Sequence, residues 1–99
     1  QRFALLPTEY ALDHNFPNPF NPETTIRYAV PDAGKVTLVI YSVLGQEIAR
    51  LVDTDLTPGF YTVRWNGKDA TGRGVASGIY LYRMQAGDFS NTHKMLLLK

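Results

Sequence analysis

Glycines spaced like those of a phosphate-binding loop stand within residues 66–74. Gly67 and Gly72 have the required spacing, but Arg73 and the glycine after it occupy the places of the essential Lys and Ser/Thr. No helical pattern follows that could present its N-terminal amides to a phosphate. We therefore interpret the stretch as a turn between strands, in which Asp69 accepts hydrogen bonds from local backbone amides.

Two aspartates and two histidines are the remaining candidate metal ligands. Asp53 and Asp55 alternate in a predicted loop, but a calcium loop needs about 6–8 oxygen ligands and a glycine and glutamate at set positions. His14 and His93 fall on the predicted first and last strands, whose ends can approach each other in a sandwich. Because no third ligand accompanies them, two surface histidines are the favoured interpretation, and we expect no metal and no cofactor.

The sequence also lacks the usual signs of catalysis. It has no cysteine, and Ser77 is not embedded in the Gly-x-Ser-x-Gly turn of a nucleophile elbow. The nine acidic residues stand mostly in or beside predicted turns, where solvation explains them, rather than as a pair facing a cleft. We expect that the protein is not an enzyme.

Length and composition indicate one small folded domain. The chain has 99 residues, of which 44% are hydrophobic and 19% charged, with a net charge of +1 and no basic stripe to bind nucleic acid. No run of about 18 apolar residues predicts a transmembrane segment, and no signal peptide is recognisable. The chain starts at Gln1 instead of Met, which favours a fragment of a longer precursor. Residues 1–9 have no period and are predicted to be a linker.

Period-two alternation predicts that residues 10–99 form an immunoglobulin-like antiparallel β-sandwich of about seven strands with Greek-key connections, a small barrel being the alternative. The predicted strands are Tyr10–Asn15, Thr24–Val30, Lys35–Tyr41, Glu47–Val52, Phe60–Trp65, Gly78–Ala86 and Phe89–Leu98. Residues 16–22 carry three prolines, which exclude a ladder-forming strand and predict a stiff crossing. A loop is expected over residues 53–59, and a tight hairpin turn over residues 86–88.

The aromatic residues separate into predicted core and predicted surface. Trp65 is in phase with inward-facing neighbours and is assigned to the core, and Phe16 and Phe20 are expected to plug one end of it. Phe60 and Tyr41 are out of phase and are candidates for a binding face. The third predicted strand is apolar on both faces, which favours a central place in its sheet.

Several segments together resemble one known family. They are residues 10–22, Thr24–Tyr28, Ile40–Glu47, Gly59–Gly67, Ala76–Tyr80 and Lys94–Lys99. This pattern resembles the C-terminal sorting domain (type A) of the type IX secretion system, and it is similar to the Ig-like domain of flagellar hook-capping proteins.

The resemblance implies a non-catalytic domain that directs an attached upstream cargo protein across the outer membrane. The implied partners are the outer-membrane secretion machinery and a sortase-like peptidase. The implied route leads through the periplasm to the cell surface or the medium. Residues 1–9 would then link cargo to sorting domain and offer a flexible segment for cleavage.

The last strand and the segment expected beside it are the hypothetical recognition site. An exposed edge strand can pair with a partner by β-augmentation, and the chain ends directly after this one. The candidate partner-binding residues are Ser77, Gly78, Tyr80, Lys94, Met95, Leu96, Leu97, Leu98 and Lys99. Two other functions fit the sequence: a carbohydrate-binding module of a secreted glycosidase, and an Ig-like assembly domain of a hook cap.

Overall fold

The computed structural model describes residues 5–99, so the first four residues of the predicted linker lie outside the described part. Seven strands follow one another along the chain: β1 (Ala11–Leu12), β2 (Thr24–Val30), β3 (Gly34–Ser42), β4 (Glu47–Leu56), β5 (Gly59–Trp65), β6 (Gly78–Ala86) and β7 (Phe89–Leu97). Within residues 5–99 no helix has the length and apolar character that crossing a membrane requires.

The strands form two antiparallel sheets. One sheet has the order β1-β2-β5 and the other the order β4-β3-β6-β7. The chain changes sheet after β2, β4 and β5, so that β2 pairs with β5 and β3 with β6. These non-consecutive neighbours confirm the predicted Ig-like sandwich, and β3 has the central place that its two apolar faces predicted.

The core fills the space between the sheets. Every second residue is buried along β6 and at the end of β7, as period two requires, whereas β2 and β3 also bury Ala29 and Val39 on their other face. Trp65 is only 1% exposed, and its indole N–H donates to the carbonyl of Lys68 at 2.9 Å. Its ring contacts Phe20 and Tyr80, with centroids 5.8 and 5.4 Å away. The assignment of Trp65 to the core, and of Phe20 to one end of it, is confirmed.

The crossing between β1 and β2 is fixed by a buried polar contact. We call residues 15–22 the proline strap. Asn15 is 3% exposed, and its amide donates to the hydroxyl of Thr24 at 3.0 Å. That hydroxyl in turn donates to the carbonyl of Pro17 at 2.8 Å. The strap is thereby attached to the start of β2.

Two predictions about this region are wrong. The first strand was expected over Tyr10–Asn15, but the ladder ends at Leu12 because the chain then turns inward at the buried Asn15. Phe16 was expected to plug the core, yet it is 78% exposed. Its backbone exchanges two hydrogen bonds of 2.9 Å with Thr25, which belongs to the outward-facing set of β2. The ring therefore shares the outer face.

Strand β4 is longer than the sequence indicated. The predicted strand ended at Val52, with a loop to Gly59, but β4 continues to Leu56. Asp53 lies opposite Thr37 in the ladder, and its carboxylate accepts a salt bridge of 3.1 Å from Lys35. Aspartates are unfavourable in strands generally, but an exposed edge strand leaves them in water.

Candidate functional site at the start of β6 and the end of β7

Strand β7 lies at the edge of the four-stranded sheet and pairs with β6 without a break in register. Gly78 is opposite Leu97, and Tyr80 is opposite Met95. The structure therefore brings together the two segments that the sequence proposed as one recognition site.

The inward-facing members of this site belong to the core. Met95 and Leu97 are 2% and 0% exposed, and Tyr80 is 8% exposed. The Tyr80 hydroxyl donates to the carbonyl of Ala76 at 2.6 Å, and burial raises its pKa. A partner cannot touch these side chains while the domain stays folded, so they hold the site in place.

Two further candidates shape the end of the chain. The hydroxyl of Ser77 accepts a hydrogen bond of 2.9 Å from the backbone N–H of Lys99. Gly78 has a φ of +152°, a backbone conformation that L side chains rarely adopt. Ser77 and Gly78 thus position the terminal residues next to β6.

The outward-facing members form an exposed apolar surface. Ile79 and Leu98 are 48% and 49% exposed, and Leu96, directly opposite Ile79, is half-buried. In the next row, Leu81 lies opposite the exposed Lys94. We call this outward set the C-terminal patch: Ile79, Leu81, Lys94, Leu96 and Leu98.

The backbone edge of β7 is already occupied beside the patch. The N–H of Leu96 donates to the Asn18 side-chain oxygen at 2.9 Å, and its carbonyl accepts from the N–H of Phe20 at 3.0 Å. The N–H of Leu98 donates to the carbonyl of Phe20 at 2.9 Å. The hypothesis that a partner adds a strand along this terminal segment therefore needs correction. Over Leu96–Leu98 the proline strap already fills that place.

Farther from the chain end, the edge of β7 is more open. In an antiparallel ladder, alternate residues direct their backbone groups away from the neighbouring strand. Because the backbone N–H and carbonyl of Leu96 point away from β6, those of Lys94, Thr92 and Ser90 do so as well. The N–H of Thr92 is bonded to the side-chain oxygen of Asn91 at 2.9 Å. Polar side chains line this part of the edge, which discourages pairing with another strand.

A neighbouring turn extends the patch, and the sequence prediction missed it. Val43 and Leu44 are 63% and 85% exposed in the turn between β3 and β4. Beside them lies a shallow depression of about 200 Å³, lined by Tyr41, Gly45, Leu81, Arg83 and Thr92. The sequence could have indicated this surface, because Val43 and Leu44 are two large apolar residues between predicted strands, and a turn gives such side chains no core to enter.

The two histidines do approach each other. The ring centroids of His14 and His93 are 4.2 Å apart, and the His93 Nε2–H donates to the carbonyl of Leu12 at 2.8 Å. Within residues 5–99, no group of three or more histidine, cysteine, aspartate or glutamate side chains could hold a metal ion.

The glycine-rich loop is the turn that was predicted. One oxygen of Asp69 accepts from the backbone N–H groups of Thr71 and Arg73 at 2.9 and 3.1 Å. The Thr71 hydroxyl also donates to it, and this bond is the main reason that the Asp69 pKa is lowered. Asp53 and Asp55 lie on β4 and not in a loop.

The two candidate surface aromatics do not share a face. Phe60 is 66% exposed on β5, in the three-stranded sheet, whereas Tyr41 is half-buried on β3, in the other sheet. A single binding face that contains both rings is therefore ruled out.

Comparison with known proteins places the sandwich in a family. Residues 22–89 match the family model of the FlgD Ig-like domain, which is more than half of the chain. The chain belongs to the FlgD Ig-like domain family. The family match of this FlgD Ig-like domain ends at the start of β7, so most of the C-terminal patch extends beyond it. No curated protein matches the chain.

Two solved structures from Porphyromonas gingivalis resemble this FlgD Ig-like domain. One is dimeric latent PorU, with 20% identity, a TM-score of 0.70 and coverage of 92% of this chain and 10% of that one. The other is PorZ, described as an essential bacterial surface component of the type IX secretion system. It has 24% identity, a TM-score of 0.61 and coverage of 91% and 11%. At this identity the likeness shows the fold, and the chain spans about a tenth of either protein.

Proposed function

We propose that this FlgD Ig-like domain is a non-catalytic sorting domain that directs an attached cargo protein through a type IX secretion system to the cell surface or the medium. The proposal rests on one observation: the side chains of the last 22 residues divide into a buried set and an exposed set. Met95 and Leu97 anchor β7 in the core, while Ile79, Leu96 and Leu98 remain outside it. A folded signal needs such an arrangement, because the side chains to be read must not be needed for stability.

The likeness to PorU and PorZ supports this assignment at the level of the fold. In both proteins the matching region is about a tenth of a much longer chain. A sorting domain would likewise be a small sandwich within a longer chain.

The proposed recognition works through side chains and not through the backbone edge. The proline strap occupies the edge at Leu96 and Leu98, so a partner meets the outer face of the hairpin first. The partners proposed are the outer-membrane secretion machinery and a sortase-like peptidase. The latter would cut in the segment before Tyr10.

The direct test fuses the full 99-residue chain to the C-terminus of a periplasmic reporter enzyme in a bacterium with a type IX secretion system. We expect reporter activity on the surface or in the medium, and none there when the secretion system is disrupted or the chain is omitted. Reporter that stays in the periplasm with an intact system and a folded domain would contradict the proposal.

Processing is examined on the same exported material. If a peptidase removes the domain, mass spectrometry of the exported reporter should place its new C-terminus upstream of Tyr10. Tyr10 marks the start of the packed part, since its ring stacks on Phe89 with centroids 5.4 Å apart. Full-length fusion outside the cell would contradict cleavage while leaving export intact.

The family match also favours a second function, that of an assembly domain within a larger structural protein. The description of the family as the FlgD Ig-like domain is the observation behind this alternative. It predicts that the reporter fusion stays in the periplasm, and that the upstream sequence belongs to a structural subunit and not to an enzyme or adhesin.

A further inference from the structure

The charges around the C-terminal patch have one sign. From Gly78 to the chain end there are three cations, Arg83, Lys94 and Lys99, and a single acid, Asp88. Asp88 lies in the turn at the opposite end of the hairpin, where Ala86 pairs with Phe89. Arg83 and Lys94 therefore lie on the outer face of the hairpin beside the apolar side chains, whereas the Lys99 ammonium lies close to Gly74.

These cations are not neutralised by salt bridges within residues 5–99. The salt bridges among residues 5–99 join Lys35 to Asp53, Arg50 to Glu47 and Asp53, and Arg64 to Glu23, and none includes the three cations of the hairpin. Arg83 makes one long hydrogen bond of 3.4 Å to Thr92.

An acid on the same face of the sheet is already paired. Glu47 lies opposite Tyr41 in the ladder, and Arg50 binds its carboxylate at 2.9 Å. The exposed cations of β6 and β7 thus remain available to charges from outside.

We infer that the C-terminal patch and its cations form a docking surface for a protein partner with an apolar centre and an acidic rim. The inference rests on the proposed function, because it names the chemistry of the partner that reads the same residues. Apolar burial would supply affinity, and the charge complementarity would select and orient the partner. The shallow depression that Arg83 and Leu81 line has room for an acidic side chain beside the apolar row.

A matched pair of arginines allows a sharp test. Arg83 and Arg27 are both exposed, lie in the middle of a strand, and have a threonine as ladder partner. Neither takes part in a salt bridge within the described residues. Arg83 is on β6 beside the patch, whereas Arg27 is on β2 in the other sheet. The test variant is Arg83→Glu with Lys94→Glu, and the control is Arg27→Glu.

The first measurement uses the purified full chain and two synthetic probes in NMR titrations. One probe is an eight-residue peptide of alternating leucine and glutamate, and the other alternates leucine and lysine. We expect the acidic peptide to shift the amide signals of Leu81, Arg83 and Leu96. Its affinity should fall by roughly tenfold or more in the test variant and stay unchanged in the control. Equal binding of both peptides, or an equal loss in Arg27→Glu, would overturn the inference.

Two other occupants are distinguished in the same experiment. Binding of the chain to phosphatidylglycerol vesicles, with loss of that binding in the test variant and no response to the acidic peptide, would assign the surface to a membrane instead. Concentration-dependent signals from the patch residues in the absence of any probe would assign it to a second copy of the chain. Either result would overturn the inference.

The cellular measurement separates failure of this inference from failure of the proposed function. If the wild-type fusion is not exported, the proposed function is refuted, whatever the result of the peptide titrations. If it is exported and the Arg83→Glu/Lys94→Glu fusion reaches the surface as well as the Arg27→Glu fusion, the acidic partner is refuted and the sorting function stands.

Discussion

The two edge strands of the four-stranded sheet are built in opposite ways. Strand β4 is irregular, with register shifts at two places, and of its charged side chains Arg50 pairs with both Glu47 and Asp53. Strand β7 is regular along its whole ladder, carries no acid, and is covered by the proline strap at its C-terminal end. An edge strand must be protected from unwanted pairing, and the comparison shows two solutions to that problem.

The difference indicates where a partner can bind. On β4 three of the four charged side chains, Glu47, Arg50 and Asp53, are paired with one another, which leaves less charge for an outside protein. At the C-terminal end of β7 the proline strap protects the backbone edge. The side chains of the outer face are therefore not needed for that protection and can contact a partner. Of the two edge strands, β7, which the proline strap protects, is therefore the one whose outer side chains can bind a partner.

The largest expected effect concerns the two faces of β7. Leu97→Ala should lower the free energy of unfolding by about 2–5 kcal/mol, because the side chain is fully buried and a cavity would remain. Leu98→Ala, one residue along and half exposed, should change it by less than about 0.5 kcal/mol. Urea unfolding measures both values. Similar losses at the two positions would contradict the division into anchor and surface.

A smaller effect is expected at the strap. Asn18→Ala removes the acceptor of the Leu96 N–H, which should cost at most about 1 kcal/mol and accelerate hydrogen exchange at that amide. Asn21→Ala is the matched control, since Asn21 also precedes a proline in the strap and is exposed. Unchanged exchange at Leu96 in Asn18→Ala would show that the strap does not protect this edge.

The decrease in folding stability at acidic pH should depend on the ion pairs of β4. A hydrogen bond from Arg50 lowers the pKa of Glu47 below its ordinary value of 4.5, and one from Lys35 lowers that of Asp53 below 3.8. A lowered carboxyl pKa stabilises the fold above the ordinary value, and this stability is lost as the pH falls through the folded value. Stability should therefore decrease below about pH 4.5, where these groups take up protons.

The variant Glu47→Gln/Asp53→Asn checks this assignment. Its unfolding midpoint should lie slightly below that of the wild type at pH 7 and decline less steeply in acid. Because the pairs are exposed, the difference should shrink in high salt. Lys94→Gln on β7 should leave the decrease in stability at acidic pH unchanged, and an equal effect there would contradict the contrast between the two edges.

Much of the fold follows from local pattern. The bounds predicted for β2 and β6 were correct, and in β6 buried and unburied positions alternate along the whole strand. The pattern failed where long-range contacts decide. Phe16 was predicted to be a core residue, but its backbone pairing with Thr25 places its ring on the outer face. Asp53 was predicted to lie in a loop, but it lies in the β4 ladder, where it forms a salt bridge with Lys35.

The candidate site divides in the same way. Sequence could predict that the last strand is anchored on alternate residues, because period two separates Leu97 from Leu98. It could not predict that Asn18 and Phe20 occupy the edge, since nearly 80 residues separate the partners in the chain. Nor could it show that Val43 and Leu44 lie beside the start of β6, which depends on the pairing of β3 with β6.

We propose that the sorting information lies in the outward side chains of the C-terminal patch. The most direct measurement is the fraction of a fused reporter that reaches the surface or medium with Ile79→Ser/Leu98→Ser, compared with Phe60→Ser on the other sheet. All three residues are exposed, so both variants should fold, which circular dichroism of the purified chains verifies. We expect the first fusion to stay in the periplasm like a reporter without the domain, and the second to be exported like the wild type. Normal export of the Ile79→Ser/Leu98→Ser fusion would contradict the proposal.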